Sequence, residues 1–207
     1  MNDLPAGVIL HRGFLEPSAQ QRLVSEIAQI IAGAPLYVST MPKTGAPMSV
    51  RMTNCGPLGW MSDKEGGYRY EPRHPVTGEP WPAMPDILLE AWTLLANFHA
   101  QPEACLINVY DADARMGLHQ DRDEKDFSAP IVSLSLGADC LFRVGGIKRG
   151  GATASVVLSS GDALMLSGPA RMRFHGVDKI LPTLGPSVAL NLPPGAARIN
   201  LTMRRVN

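Results

Sequence analysis

The stretch Gly117-Leu118-His119-Gln120-Asp121-Arg122-Asp123-Glu124 sets an imidazole and a carboxylate two residues apart. Read as a strand, Leu118 to Asp121 puts residues i and i+2 on one face, so His119 and Asp121 point at one object. A His-x-Asp pair by itself is also what an ordinary strand surface carries. A second imidazole, His175, changes its weight: it closes a strand-like run from Met172 and is followed by Gly176. Two imidazoles and one carboxylate form the facial triad that leaves three adjacent positions open on a non-haem Fe(II).

Other groups could serve that centre. In Arg198-Ile199-Asn200-Leu201-Thr202-Met203-Arg204 every even position is polar and every odd one apolar. One face therefore enters a core, while the other lines something wet or lies open to solvent. Arg198 and Arg204 on the polar face want anions. Asn108 and Tyr110 repeat the pattern on the Cys105 strand, with Leu106 on the same face. Six strand residues span about 20 Å, more than one small dicarboxylate, so the two arginines need not share a task. Asp123 continues the His119–Asp121 face if the strand runs on, and could reach a donor on a substrate. Glu124 and Asp126 read as members of an ordinary charged turn. Lys148-Arg149, between Gly145-Gly146 and Gly150-Gly151, suits a phosphate grip or a solvated hairpin tip. His11, His74 and His99 read as surface or packing residues. No Gly-rich phosphate loop, Ser-His-Asp signature or His-Glu-x-x-His helix is present.

The elements that must hold these groups follow from periodicity. Val8-Ile9-Leu10 suggests an edge strand. Pro17-Ser18 opens a helix with Leu23, Ile27, Ile30 and Ile31 on one stripe, Ser18 and Gln21 as a capping box, and Gly33 as its stop. A second helix follows Pro85 and runs through Leu88, Ala91, Trp92, Leu95 and Phe98. From Ala104 onward about eight short runs recur: Cys105–Tyr110, Leu118–Asp121, Ile131–Leu136, Cys140–Val144, Ser155–Leu158, Ala163–Leu166, Met172–His175 and Ile199–Met203. Turn signals separate them, which indicates a sandwich or jelly roll with the two helices on one face. Residues 36–82 differ, with short β-prone pieces set among Gly, Pro, Asn and Ser. There Lys43, Arg51, Lys64, Arg69 and Arg73 outnumber Asp63, Glu65 and Glu71, and Trp60, Tyr68 and Tyr70 lie among them. Aromatics among cations suit stacking on bases beside phosphates, or equally a small core of the segment's own.

Composition sets the outer bounds. The 207 residues, 45% hydrophobic, can bury one full core. With 19 basic and 19 acidic residues there is no global field toward nucleic acid or membrane, so any polyanion contact is local. Cys55, Cys105 and Cys140 are odd in number and far apart, which suggests neither a disulfide framework nor a zinc knuckle and points to a reducing cytoplasm. The start, Met1-Asn2-Asp3-Leu4-Pro5, has no basic and apolar export pattern, and no run approaches the roughly 18 apolar residues of a membrane span.

Over nearly its whole length the chain resembles the AlkB-type Fe(II)/2-oxoglutarate dioxygenases that reverse alkylation damage in nucleic acids. The matching pieces are Met52-Thr53-Asn54-Cys55-Gly56 with Leu58-Gly59-Trp60, Pro80-Trp81-Pro82-Ala83-Met84-Pro85, Ala104-Cys105-Leu106-Ile107-Asn108, Leu118-His119-Gln120-Asp121, Ala129-Pro130-Ile131-Val132-Ser133 and Arg198-x-Asn200-Leu201-Thr202-x-Arg204. The resemblance implies a mainly β, α+β fold in one domain, 1–207, with a double-stranded β-helix (jelly-roll) core over 104–207 and a substrate lid within 36–82. It implies that His119, Asp121 and His175 ligate Fe(II). Arg198 would pair with the distal carboxylate of 2-oxoglutarate, helped by Tyr110, while Asn108, Asn200 and Arg204, with Leu106 and Thr202 on the same faces, would surround the keto-acid end. Trp60 would stack on a flipped base, Tyr68, Arg69, Tyr70 and Arg149 would touch substrate, and Asp123 would meet the base edge. The implied reaction is oxidative demethylation of N1-methyladenine and N3-methylcytosine in single- or double-stranded DNA, consuming O2 and 2-oxoglutarate and releasing formaldehyde, succinate and CO2. Alternatives are the same chemistry on RNA, tRNA or another substrate, and a non-catalytic nucleic-acid-binding module. The implied enzyme is a cytoplasmic monomer with no membrane partner. Two departures from the family pattern bear on the pocket: Leu166 stands where relatives can carry tryptophan, and Arg173 adds a cation two residues before His175.

Overall fold

The structure, a computed structural model, describes residues 4–183, 187–190, 192 and 194–207; part of the N-terminal reading, residues 1–3, lies outside them. Among these residues thirteen strands and two α-helices form three antiparallel sheets. The large sheet has the order β1 (Val8–His11), β11 (Ala163–Leu166), β8 (Ile131–Gly137), β13 (Ala196–Arg204), β6 (Ala104–Asp111), β3 (Pro47–Cys55) and β2 (Tyr37–Thr40). The smaller one has the order β10 (Ala154–Leu158), β9 (Cys140–Val144), β12 (His175–Ile180) and β7 (Met116–His119). A separate hairpin joins β4 (Gly59–Asp63) to β5 (Gly67–Glu71). Two facing antiparallel sheets with two helices on one outer face are the expected jelly-roll architecture.

Strand alternation decides which side chains face which layer. On β6 and β13 the odd residues Cys105, Ile107, Val109, Ile199, Leu201 and Met203 are buried against the helices. The even ones lie on the opposite face, where Tyr110 packs with Ile131, Phe142, Leu164, Leu166 and Val177, and Ala104 and Leu106 pack with Met52 and Val206 beneath the Trp60 hairpin. α1 (Pro17–Gly33) buries Leu23, Val24, Ile27 and Ile30, spaced so that each returns to one stripe. Its start differs from the expected capping box: the N-cap is Glu16, and no side chain caps it. Pro17 lacks an N–H and comes with a helical φ, so the first turn has one fewer donor to satisfy. α2 (Asp86–Ala96) buries Leu88, Ala91 and Trp92 and stops before Phe98, because Asn97 takes a left-handed conformation with φ 45°.

The 36–82 segment divides. β2 and β3 extend the large sheet through β6, whereas β4 and β5 pair with each other and are tied to that sheet by side chains: Asn54 exchanges hydrogen bonds with the Trp60 main chain at 3.1 Å, and Ser62 Oγ donates to Thr40 O at 2.7 Å. Trp81 supports that hairpin: its Nε1 donates to Glu71 O at 2.8 Å, and its ring lies so close to Gly59 that a Cβ there would approach within 2.3 Å. No described helix is long and apolar enough to cross a membrane. The three cysteines are buried and free.

Candidate active site

β7 ends on His119 and β12 begins on His175, and the two are register partners. Their ring centroids lie 4.6 Å apart. The expected strands ran on to Asp121 and closed on His175; instead Asp121 sits in a loop and His175 opens its strand. β7 is an edge strand, and residues that would have continued its pairing are engaged elsewhere. On the His175–His119 register Arg173 would pair with Asp121, but its N–H goes to Ala170 O at 3.0 Å and its carbonyl to His175 Nδ1 at 3.0 Å. Beyond His119 there is no ladder to join.

The three side chains nonetheless converge. Asp121 Oδ1 lies 3.5 Å from His119 Nε2 and Oδ2 lies 3.4 Å from His175 Nε2. One ligand atom from each residue falls within 4.8 Å of the others. His119 Nδ1 is 3.0 Å from Gly117 O, and His175 Nδ1 is 3.0 Å from Arg173 O. A carbonyl only accepts, so each Nδ1 carries the proton and each Nε2 turns a lone pair inward. Asp121 Oδ2 is buried with no hydrogen-bond donor. Inward Nε2 lone pairs and an undonated carboxylate oxygen fit a divalent metal ion and the carbonyl-oriented ligands such ions favour.

Around the triad lies a buried ionic network. Arg204 Nη2 is 2.7 Å from Asp121 Oδ1, and its Nη1 is 3.0 Å from Glu124 Oε1. Glu124 Oε2 lies 3.0 Å from Arg171 Nη2, and Tyr70 donates its hydroxyl to Glu124 Oε1. Burial by itself would raise the Asp121 carboxyl, but Arg204 first, then His175 and His119, hold it well below the usual carboxylate range. Glu124 is therefore no solvated turn residue: it is 4% exposed and answers two buried guanidinium groups.

From the triad a cavity extends along β13, lined by Arg198, Asn200, Thr202 and Arg204, with Asn108 and Tyr110 from β6. Arg198 is 1% exposed and donates to Ser135 Oγ at 2.6 Å and to Ala138 O at 2.9 Å. Asn200 donates to Ser133 Oγ at 2.6 Å and accepts from Thr202 at 2.8 Å. On the β4–β5 hairpin, Trp60 Nε1 donates to Asp123 Oδ2 at 2.8 Å, and the Trp60 ring stacks on Tyr68 with centroids 5.7 Å apart.

The 2OG-Fe(II) oxygenase superfamily model matches residues 7–204. The alpha-ketoglutarate-dependent dioxygenase AlkB homolog of Caulobacter vibrioides is 51% identical over 193 residues, 93% of this chain and 84% of that protein. The chain belongs to the AlkB-type 2OG-Fe(II) oxygenases. The alpha-ketoglutarate-dependent dioxygenase AlkB of Escherichia coli is 38% identical over 206 residues, covering 98% of this chain and 91% of its own length. The solved structure of OsALKBH1 superposes with a TM-score of 0.79 at 28% identity, covering 98% of each chain. This AlkB-type protein is thus a dioxygenase that uses Fe(II), 2-oxoglutarate and O2.

Within that AlkB-type frame, the structure brings His119, Asp121, His175, Asn108, Tyr110, Arg198, Asn200, Thr202 and Arg204 onto one cavity. Trp60, Tyr68 and Asp123 form a second group, joined to the first through Tyr70 and Glu124. Leu106 falls outside the cavity lining, packing with Met52, Ala104 and Val206. Arg69 lies on the opposite hairpin face from Tyr68 and Tyr70, bound to Asp63 at 2.7 Å and Glu71 at 3.0 Å. Arg149 sits over the Phe174 ring at 4.9 Å, beside Leu118 O. Leu166 does line the cavity. Arg171 and Ser135 escaped the sequence reading, and Ser133 stood in a matching piece without a role. The serines alternate on the Ile131–Leu136 run, which is a usable signal; Arg171 has no local pattern to mark it.

Proposed function

We propose that this enzyme demethylates N-alkylated bases in DNA, with N1-methyladenine and N3-methylcytosine as substrates, acting as a cytoplasmic monomer. The observation that carries this reading is the Trp60–Asp123 hydrogen bond two residues past the iron carboxylate: an aromatic face and a base-edge acceptor sit together beside the triad. Both bases are cationic when methylated at these nitrogens, and a carboxylate favours that charge while accepting from the exocyclic amine. A base must leave its stack to reach such a pocket, and aromatic stacking offsets part of that cost. The β4–β5 hairpin within 36–82 serves as the lid, with Tyr68 half-exposed at its face.

The chain's own residues divide the remaining work. Arg198, pre-set by Ser135 and Ala138, receives the distal carboxylate of 2-oxoglutarate; Asn108, Asn200 and Tyr110 border the same channel. Arg204 meets the Asp121 oxygen that also faces His119, leaves the other oxygen without a donor, and keeps the carboxylate ionised for ligation. When bound, Fe(II) with 2-oxoglutarate and O2 supplies the oxidation: one oxygen atom enters an N-methyl C–H bond, the other enters succinate, and CO2 leaves. The hydroxymethyl group then departs as formaldehyde, returning the electron pair to the ring nitrogen. The test is to incubate the protein with Fe(II), 2-oxoglutarate, O2 and oligonucleotides carrying each lesion in DNA or RNA. Formaldehyde released from methylated DNA is the expected result; turnover confined to RNA, or none on any methylated base with metal bound, overturns the reading.

A further inference from the structure

Asp121 lies in a stretch without regular structure that extends from Gln120 to Pro130. A metal ligand must be held within about 0.5 Å of its working position, which an unsupported loop does not do. One buried side chain grips this loop at four points. Arg171 donates through Nη1 to Asp121 O at 2.7 Å, through Nη2 to Glu124 Oε2 at 3.0 Å, and through Nε to Ala129 O at 3.0 Å. Its guanidinium also lies 5.3 Å from the Phe127 ring centroid. Only a planar fork with donors in fixed directions meets three acceptors this way; an ammonium group does not. Arg171 precedes His175 by four residues, so it ties the loop bearing one ligand to the segment that delivers another. Its charge, 2% exposed, is answered by Glu124, whose other oxygen takes Arg204 and the lid's Tyr70.

We propose that Arg171 is a positioning residue for the iron site: it holds the main chain of Asp121 where the carboxylate can ligate, and Glu124 locks it in place. The inference rests on the Fe(II) site and not on the choice of substrate. A residue needed only for stability would lower the melting temperature and leave the metal environment of the folded protein unchanged.

The test uses Co(II) in place of Fe(II) on the full chain, with 2-oxoglutarate and without nucleic acid. Arg171→Lys keeps the charge and loses the fork. The folded variant is expected to bind Co(II) about 10- to 100-fold more weakly, the range for lost supporting contacts, and to shift the Co(II) ligand-field bands. Affinity within about twofold of the parent, with superimposable bands, overturns the proposal. Should Arg171→Lys not fold, the double variant Arg171→Met with Glu124→Gln leaves no unpaired buried charge and is read the same way. Failure of both to fold assigns Arg171 to stability and also overturns it. Because Co(II) binding needs no base, a negative result leaves the demethylation reading standing, and a different substrate leaves this result untouched.

Discussion

Asp121 illustrates how much a single side chain carries here: one oxygen meets Arg204 at 2.7 Å, while the other is buried without a donor and faces His175. The same economy holds at Arg198, whose guanidinium is anchored on one side before any cosubstrate arrives. Arg198→Lys is expected to raise KM for 2-oxoglutarate about 10- to 150-fold, since a hydrogen bond to a charged group is worth about 1.5–3 kcal/mol; succinate formation against 2-oxoglutarate concentration reads it. Trp60 stands apart from that cavity. Trp60→Ala should therefore raise KM for a methylated oligonucleotide about 5- to 150-fold, from about 1–3 kcal/mol of stacking, while substrate-free succinate formation stays close to the parent. Equal losses in both assays contradict the assignment.

Among the elements, the close approach of β12 to β7 sets the separation of the two imidazoles. A Cβ on Gly176 would come within 2.4 Å of Met116 O and 2.8 Å of Gly117 O, both backbone atoms that cannot turn aside. Gly176→Ala should push the strands apart at the His119–His175 pair, destabilise the fold by about 1–3 kcal/mol, and weaken Co(II) binding. Urea melts together with metal titration measure both effects. The β4–β5 hairpin depends on a second device, the Tyr70–Glu124 contact. Burial acts to raise the Glu124 carboxyl, but Arg204 leads the influences that overcome it, so its folded value lies below the usual glutamate value of 4.5. The stabilisation from a depressed carboxylate is fully present above that unfolded value and is lost as pH falls through the folded one. Acid titration of Trp60 fluorescence should therefore show a transition below about pH 4.5 that Glu124→Gln removes.

For the molecule as a whole, zero net charge means that nucleic acid is held by local contacts, with few phosphates neutralised. Binding of a methylated single strand should vary with salt with a log–log slope no steeper than about −3, as for some four phosphate contacts at about −0.7 each. A slope near −7 would reveal a basic surface that the composition does not suggest. The large sheet is seven strands wide with helices on its outer face; the β4–β5 hairpin adds no strand to it, but Asn54 of β3 and Thr40 of β2 bond it to that sheet, and Trp81 and Tyr70 hold its other contacts.

By itself the sequence determined what depends on residue type and short-range period: the two helices, the strands of the core, the His119, Asp121 and His175 ligand set, and the alternating face of β13 with Arg198 and Arg204. The helices, the strands and the β13 face are legible because neighbours at i+2 or i+4 share a face, whereas the ligand set is legible by residue type, since Asp121 lies past the strand and His175 in another element. The sequence misjudged how Asp121 is held, because whether β7 continues depends on whether Arg173 is free to pair with it, and Arg173 bonds Ala170 and the His175 ring instead. It read Glu124 as a surface charge and passed over Arg171. Their partners, Arg204 and Arg171 for the one and Asp121 and Ala129 for the other, lie 42 to 80 residues away. A buried charge is recognisable only by the opposite charge that folding brings to it, and only the tertiary structure decides which distant residue that is.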